Sequence, residues 1–469
     1  MSISTFMGIE TTLRGLLAQQ RALDVTGHNI ANASTEGYSR QTAEMTTTPA
    51  LQIAPNQLLG TGVDVTQYQR IRDSFVDTQL RAQTMLQGAA STKEDGLSQV
   101  ELVLGEPSDS GLNTLLSKFW SSWQDLANAP ENTATRQALV QSAGALADGI
   151  RSLSSQLTTI SQQTALNATS TLAEVNSIGK DVVSLNGAIA NAVAVGDAPN
   201  DLRDQRDLAL DKLSALGAVS STDYPDGSTK VTFDGITLVD GTTQRTISES
   251  VPGTLVNNAS TPETATLSAT LGKLGALTDL RDVTLPGYVK SLNTLASTLI
   301  TQVNALHGGG TDVNATVQTS GFGLDGTSGK KFFGGTNASN ITVVVSPDQI
   351  AGAAVANAPG DSTNATRIAG LATDTTLGPL SGASISGAYA QLVTAIGSDS
   401  KDAQRASTNA TTLVNSLTNR RQSISGVSLD EEMANLVKFQ RAYSASARAM
   451  NAVSDVLDLL ITRTGRVGL

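Results

Sequence analysis

Apolar side chains return at steps of seven at the start of the chain: Ile9, Leu16, Leu23 and Ile30 form one row, and Ile3, Phe6 and Leu13 supply a second. The far end repeats the pattern, with Leu429, Leu436, Tyr443, Met450 and Leu457 in the same step and Met433, Phe439, Ala447, Val453 and Leu460 beside them. Such rows predict a long helix at each terminus whose stripe packs as a coiled coil. An isolated amphipathic helix is marginal in water, so each stripe needs the opposite terminus or a neighbouring subunit to cover it.

Between the termini the period changes several times. Residues 38–72 carry Pro49, Pro55, Gly60 and Gly62 among short alternating pieces such as "GVDVTQYQRI", which predicts an extended hairpin. Helix is expected from Asp73 to Leu104, and again from Leu112 to Leu126, where Phe119, Trp120 and Trp123 are the large core anchors. A very long helix follows over 131–195, with Asn128 and Pro130 marking its start and Pro199 its end. "NDLRDQRDLALDKLSAL" reads as one more amphipathic helix, with Arg203, Asp207 and Asp211 spaced to share an exposed face.

From Ala218 to Leu271, alternation such as "STKVTFDGITLVDG" with Gly and Pro punctuation predicts a small antiparallel β domain. Helix resumes at Gly272, with Pro286 suited to a first helical turn, and runs to His307. A Gly-rich stretch over 308–335 and a β run "NITVVVS" come next, and 384–426 is helical again. The expected fold is mainly α. It is a long helical bundle with the terminal helices paired as a coiled coil (1–34 and 429–469), a helical body (35–217, 272–310 and 384–428), and an inserted outer β domain (218–271, with parts of 311–383).

Composition removes several function classes. The 31 Lys and Arg against 42 Asp and Glu leave a net charge of -11, which repels a phosphate backbone. Cysteine is absent and histidine occurs twice, so disulfide scaffolds, thiolate sites and multi-histidine metal centres are not expected. The opening "MSISTFMGIETTLRGLL" lacks a basic region followed by an unbroken apolar core, and no apolar run reaches membrane-spanning length. A cytosolic protein, or one exported without a cleavable signal, is the expectation.

Candidate chemistry is thin. His28 and His307 have no nucleophile or carboxylate at a spacing that joins them into a catalytic set, and structural roles are expected for both. The acids of "LDEEM", Leu429 to Met433, open a helix, where they oppose the positive end of its dipole without any metal. "HGGGTD" and "GFGLDGTSGKKFFGG" lack the spacing of a phosphate loop and read as turns. No enzyme, cofactor or metal site is expected. Arg40, Arg441 and Arg448 are expected to be solvated.

The first heptad row stops in "NIANASTEGYSRQ", Asn29 to Gln41. Asn29 and Asn32 can satisfy backbone groups at the helix end, and Gly37 offers a positive φ, so the segment reads as a corner from one layer into the next. This stretch resembles the motif that follows the N-terminal helix in bacterial flagellar axial proteins, and its "GYSRQ" ending narrows the likeness to their hook-associated branch. "LTDLRDVTLPGYVKSLNTLASTLITQVNALHGGGTD", with "GFGLDG" and "KKFF" after it, and the terminal "GVSLDEEMANLVKFQRAYSASARAM" are similar to the same branch.

The resemblance implies a structural subunit: an adaptor ring of identical chains joining hook to filament and supporting filament assembly, with a flagellin-like or hook subunit as the alternative. It implies uncleaved export through the flagellar type III apparatus and an extracellular place in the flagellum. The implied partners are copies of this chain, hook protein, hook-associated protein 3, and a cytoplasmic chaperone at the C-terminal region. The expected assembly interface holds Ile9, Leu16, Leu23, Ile30, Leu436, Tyr443, Met450 and Leu457, and the family motif holds Asn29, Asn32, Gly37 and Tyr38. Small side chains at Ala31, Ala33, Ala442, Ala445, Ala447 and Ala449 are expected to permit close helix approach. Before assembly, 1–32 and 430–469 are expected to be poorly ordered.

Overall fold

The computed structural model describes residues 7–54, 57–308 and 321–464. Helix α1, Met7–Ala31, leads through the corner into a ribbon in which β1, Gln41–Thr47, continues to the small hairpin of β2, Leu51–Ala54, and β3, Gln57–Leu59, and returns as β4, Val63–Arg70. β1 and β4 pair antiparallel from Gln41 opposite Arg70 to Thr47 opposite Val63. The ribbon lies along α1: Gly62 abuts Thr11 and Arg14, and Arg21 reaches Asp64 at 3.4 Å.

The helical body begins with α2, Ser74–Leu104, whose first amides at Phe75 and Val76 are capped by the Asp73 carboxylate. Gly105 closes it in the left-handed conformation. After α3, Leu112–Asn128, comes α4, Thr133–Ala194, 62 residues long; at 1.5 Å per residue it spans about 93 Å. Its N-cap is Asn132, whose side chain accepts from Ala134 and Thr135. The helix therefore starts later than Asn128 and Pro130 suggested, because Asn132 supplies the acceptor that the first amides need. Helix α5, Asn200–Leu216, runs back beside α4 and feeds two small sheets. One contains β5, Val219–Asp223, β6, Thr229–Phe233, β7, Ile236–Asp240, and β8, Thr243–Gln244, in sequence order. The other contains β9, Ile247–Val251, β10, Thr254–Asn257, and β11, Thr264–Thr266, as a meander.

Helix α6, Gly272–Asp279, passes through a π turn, Leu280–Thr284, into α7, Leu285–Gly308, without a break. Pro286 thus does not open a helix. It has no N–H to give to the carbonyl of Asp282, and its ring crowds that carbonyl. The chain answers by widening one turn, so that the Leu285 N–H bonds to Leu280 O. Beyond α7, β12, Phe333–Gly334, pairs with β13, Thr342–Val343, which is all that "NITVVVS" contributes to a ladder. Then follow α8, Thr363–Gly370, α9, Ile385–Ser425, and α10, Leu429–Thr464.

Two apolar cores share α4. Its first half buries Leu139, Leu146, Ile150 and Leu157 with α3, α7 and α9, whereas Val175 and Val182 bury against Phe233, Leu238 and Leu213 under the sheets. The aromatic centre of the first core joins Phe119 and Trp123 to Phe332 and Phe333, with Trp123 and Phe332 centroids 5.2 Å apart. His307, fully buried, donates from Nδ1 to Lys330 O at 2.7 Å and accepts at Nε2 from the Ala351 N–H at 2.9 Å. The described part of 311–383 therefore belongs with the helical body, not with the outer sheets. Phe332, Phe333, Ile341, Ile350 and Ile368 are apolar enough to be drawn into the larger core.

Candidate assembly interface and its joint

Helices α1 and α10 pack antiparallel: Gly8 faces Val453, Gly15 faces Ser446, and Asn29 bonds to Glu432. The residues of α1 that the single chain buries are Ala18, Ala22, Thr26 and Asn29, so small side chains line the contact. Close approach uses these and the glycines, while Ala31, Ala445 and Ala449 stay exposed and Ala33, Ala442 and Ala447 are half-buried. Of the heptad rows, Ile9, Leu16, Leu23, Ile30, Leu436, Tyr443 and Met450 are half-buried and Leu457 is buried. Ile3 and Phe6 lie outside the described residues. Leu13, Leu17, Met433, Val437 and Leu459 remain 39–55% exposed. The pair thus leaves an apolar face uncovered.

The corner is built from the helix end upward. Asn32 Nδ2 donates to His28 O at 3.1 Å, and Gly37 turns the chain at φ +79, where an added Cβ would meet Leu208 at 3.0 Å. Asn29, 1% exposed, does more than finish its helix. It accepts from the Gln41 N–H at 3.0 Å and donates to Gln41 O at 2.9 Å, pinning the start of β1. The same amide donates to Glu432 Oε2 at 3.1 Å, and Tyr38 Oη donates to Asn29 Oδ1 at 2.8 Å while lying 3.2 Å from His28 Nδ1. Burial, followed by the nearby carboxylates of Asp201, Asp204 and Glu432, pushes the Tyr38 hydroxyl well above its ordinary pKa, so it stays a donor.

Glu432 is 2% exposed and faces Arg40, whose Nε lies 2.8 Å from Glu432 Oε1 and whose Nη1 donates to Glu431 Oε2 at 2.7 Å. Arg40 is consequently not solvated. Its N–H also donates to Ser425 O at 2.9 Å, and its carbonyl accepts from Ile71 at 2.8 Å, so three chain passages meet at one residue. Arg441 and Arg448 are exposed. The acids of "LDEEM" do occupy the first turn of α10, and Glu432 among them is committed to the corner.

Asp204, Asp207 and Asp211 of α5 are likewise not on an exposed face. Asp204 accepts from the Ser39 N–H at 2.9 Å and from Arg70 at 2.8 Å, and Asp207 takes Arg70 and Arg72, with Arg81 at 3.3 Å. Asp211 pairs with Arg81 at 2.7 Å and with Arg421 at 2.5 Å. Burial pushes the Asp207 carboxyl up, but the guanidiniums of Arg72, Arg70 and Arg81 outweigh it and hold the group below the usual carboxylate range. Sequence spacing showed the acidic row and could not show its cations, which come from positions 70, 72, 81 and 421. Among the described residues, no group of side chains could hold a metal ion and no helix is long and apolar enough to cross a membrane.

The residues of this terminal pair and its corner match families of flagellar proteins: residues 9–38 match the family of flagella basal body rod proteins, and residues 419–463 the C-terminal family of flagellar basal body rod FlgEFG proteins. Residues 97–333 match the helical domain of flagellar hook-associated protein FlgK. The chain is 33% identical to flagellar hook-associated protein 1 of Bacillus subtilis, across 98% of this chain and 99% of that protein. It is 27% identical to the Escherichia coli protein of the same name, across 97% and 99%. The chain belongs to the flagellar hook-associated protein 1 family and is a structural protein of the bacterial flagellum. A solved structure, the flagellar hook junction protein FlgK from Burkholderia pseudomallei, shares the fold with a TM-score of 0.61 at 19% identity, covering 74% of this chain and 100% of that one.

Proposed function

We propose that this chain assembles as a ring of identical subunits that adapts hook to filament, with the terminal pair of each subunit covered by its neighbours. The observation that supports this reading is the apolar face left by α1 and α10, where Leu17, Met433, Val437 and Leu459 are 43%, 55%, 44% and 50% exposed. An uncovered apolar face on a helix pair marks an interaction surface. A head-to-tail contact through it generates a ring or a helical stack according to the rotation between subunits. In this reading Ile9, Leu16, Leu23, Ile30, Leu436, Tyr443, Met450 and Leu457 form the seam, shared between the chain's own pair and the next copy. The terminal pair forms the inner layer, the helical body surrounds it, and the sheets of β5 to β11 project outward. Hook protein lies on one side of the ring and hook-associated protein 3 on the other. A cytoplasmic chaperone covers the C-terminal stripe before the uncleaved chain is exported, and the role is mechanical rather than enzymatic.

The test compares cells that make the full chain with cells that make a chain ending at Ser428. The expected result for the shortened chain is export without retention at the hook tip and shedding of filament subunits into the medium. Normal retention and normal filaments would remove the terminal pair from the assembly interface.

A further inference from the structure

The passage 71–73 and the end of α9, which leads into the passage 426–428, are both anchored on one face of α5. On the N-terminal side, the Ser39 N–H and Arg70 hold Asp204, while Arg70 and Arg72 hold Asp207. On the C-terminal side, Arg421 at the end of α9 holds Asp211. Arg81 of α2 bridges the two sides by touching both Asp207 and Asp211. The three carboxylates follow at i, i+3 and i+7, which sets them in one row along the helix.

Apolar packing is sparse at this joint. A groove of about 710 Å³ opens between the corner and the end of α9, bordered by Gly37, Arg40, Leu208, Arg421 and Ile424. Leu208 against Gly37 is the apolar contact across it that a Cβ would disturb. The carboxylates are 5–20% exposed at their side chains and the arginines 15–27%, so the pairs are shielded from salt and short. Guanidinium groups also fix direction, because their donors form a rigid planar fork.

We infer that the Asp204, Asp207 and Asp211 row of α5 is an orientation clamp, which sets the angle at which the β1–β4 ribbon and the terminal pair leave the helical body. Asp207 is the central positioning residue, since three arginines from β4, the following passage and α2 converge on it. A subunit in a ring between two unlike structures must present its inner and outer layers at a defined angle. The clamp supplies that angle where shape complementarity does not.

The chain has no cysteine, so spin labels can be placed on the full-length protein at Thr46→Cys on β1 and Ser184→Cys on α4, both exposed positions. Electron–electron distance measurement should give one narrow distribution for the parent chain. Asp207→Asn should broaden it or split it in two, Asp207→Glu should restore the single population, and amide protection in the first half of α4 should not change. If Asp207→Asn disturbs that core as well, Arg70→Gln removes the ribbon's own ion pairs to α5, leaving its bonds to Asn200 and Asp201 in place and Asp207 paired with Arg72 and Arg81, and it too should broaden the distribution. A narrow, unshifted distribution in Arg70→Gln, or in a folded Asp207→Asn, would overturn the inference.

Discussion

Replacing Asn29 by Ala tests the corner at its most connected side chain. The substitution removes the acceptor for the Gln41 N–H and the donor to Gln41 O, together with one bond to Glu432, at a position 1% exposed. A buried polar group stripped of its partner costs about 1–3 kcal/mol, and two backbone groups plus the loosened Glu432 put the local loss at roughly 2–4 kcal/mol once water enters the opened corner. That corresponds to a fall of about 30-fold to 700-fold in the protection of the Gln41 amide, because each 1.4 kcal/mol is tenfold. Hydrogen exchange resolved to single amides reads this directly, with Leu139 to Leu157 in the first half of α4 as an internal reference.

Asn29→Asp separates the bonds further. It keeps the acceptor for the Gln41 amide but loses both donors and sets a carboxylate against the buried Glu432. Gln41 should stay better protected than in the Ala variant, while the first turn of α10 exchanges faster. An unchanged Gln41 amide in Asn29→Ala would refute the reasoning, since that amide points at the deleted oxygen.

Two further outcomes follow from the core. Burial pushes the His307 imidazole down to about 4 from an ordinary value near 6.5. The folded state therefore holds it neutral while the unfolded chain takes up a proton below about pH 6.5, so its contribution is complete above that pH and lost as pH falls toward 4. The loss amounts to about 3 kcal/mol. Denaturation of the parent chain should show this slope between pH 6.5 and 4, and His307→Gln should lack it; equal slopes would contradict a buried neutral imidazole. Trp123→Ala, at a fully buried ring between Phe119 and Phe332, should lower stability by about 3–5 kcal/mol. Leu102→Ala, at 82% exposure, should stay within about 0.5 kcal/mol, and urea midpoints followed by circular dichroism decide between them.

The elements that were legible in the sequence are those whose period belongs to a single segment. The terminal helices, α4 and the alternating strand β6 announce themselves because burial on one face writes a local repeat, whereas β7 is buried on both faces from Ile236 to Val239. The corner was legible as a corner through Asn32 and Gly37, yet Asn29 proved to bind β1 and α10, partners 12 and 403 positions away. The same limit hid the acidic row of α5, which has the spacing of a solvated face and is in fact covered by arginines remote in sequence. Pro286 read as a start signal because its fixed φ suits one, and a π turn is a response of the surrounding helix that no local pattern encodes. "KKFF" among glycines looked like a turn, yet it runs extended into β12, and its two rings are drawn into a core that only the packing of α3 and α7 creates.

The proposed assembly requires that other subunits cover the apolar face of the terminal pair. The most direct measurement places a charge there where the single chain has nothing to lose: Met433→Asp and Val437→Lys, at side chains 55% and 44% exposed on α10. Each full-length variant is added to hook stubs and scored for retention and for filament growth, with circular dichroism confirming an unchanged fold. Both variants are expected to fold as the parent does and to fail to be retained. Retention and filament growth at the parent's level would mean that this face stays in solvent in the assembled flagellum, contradicting the claim.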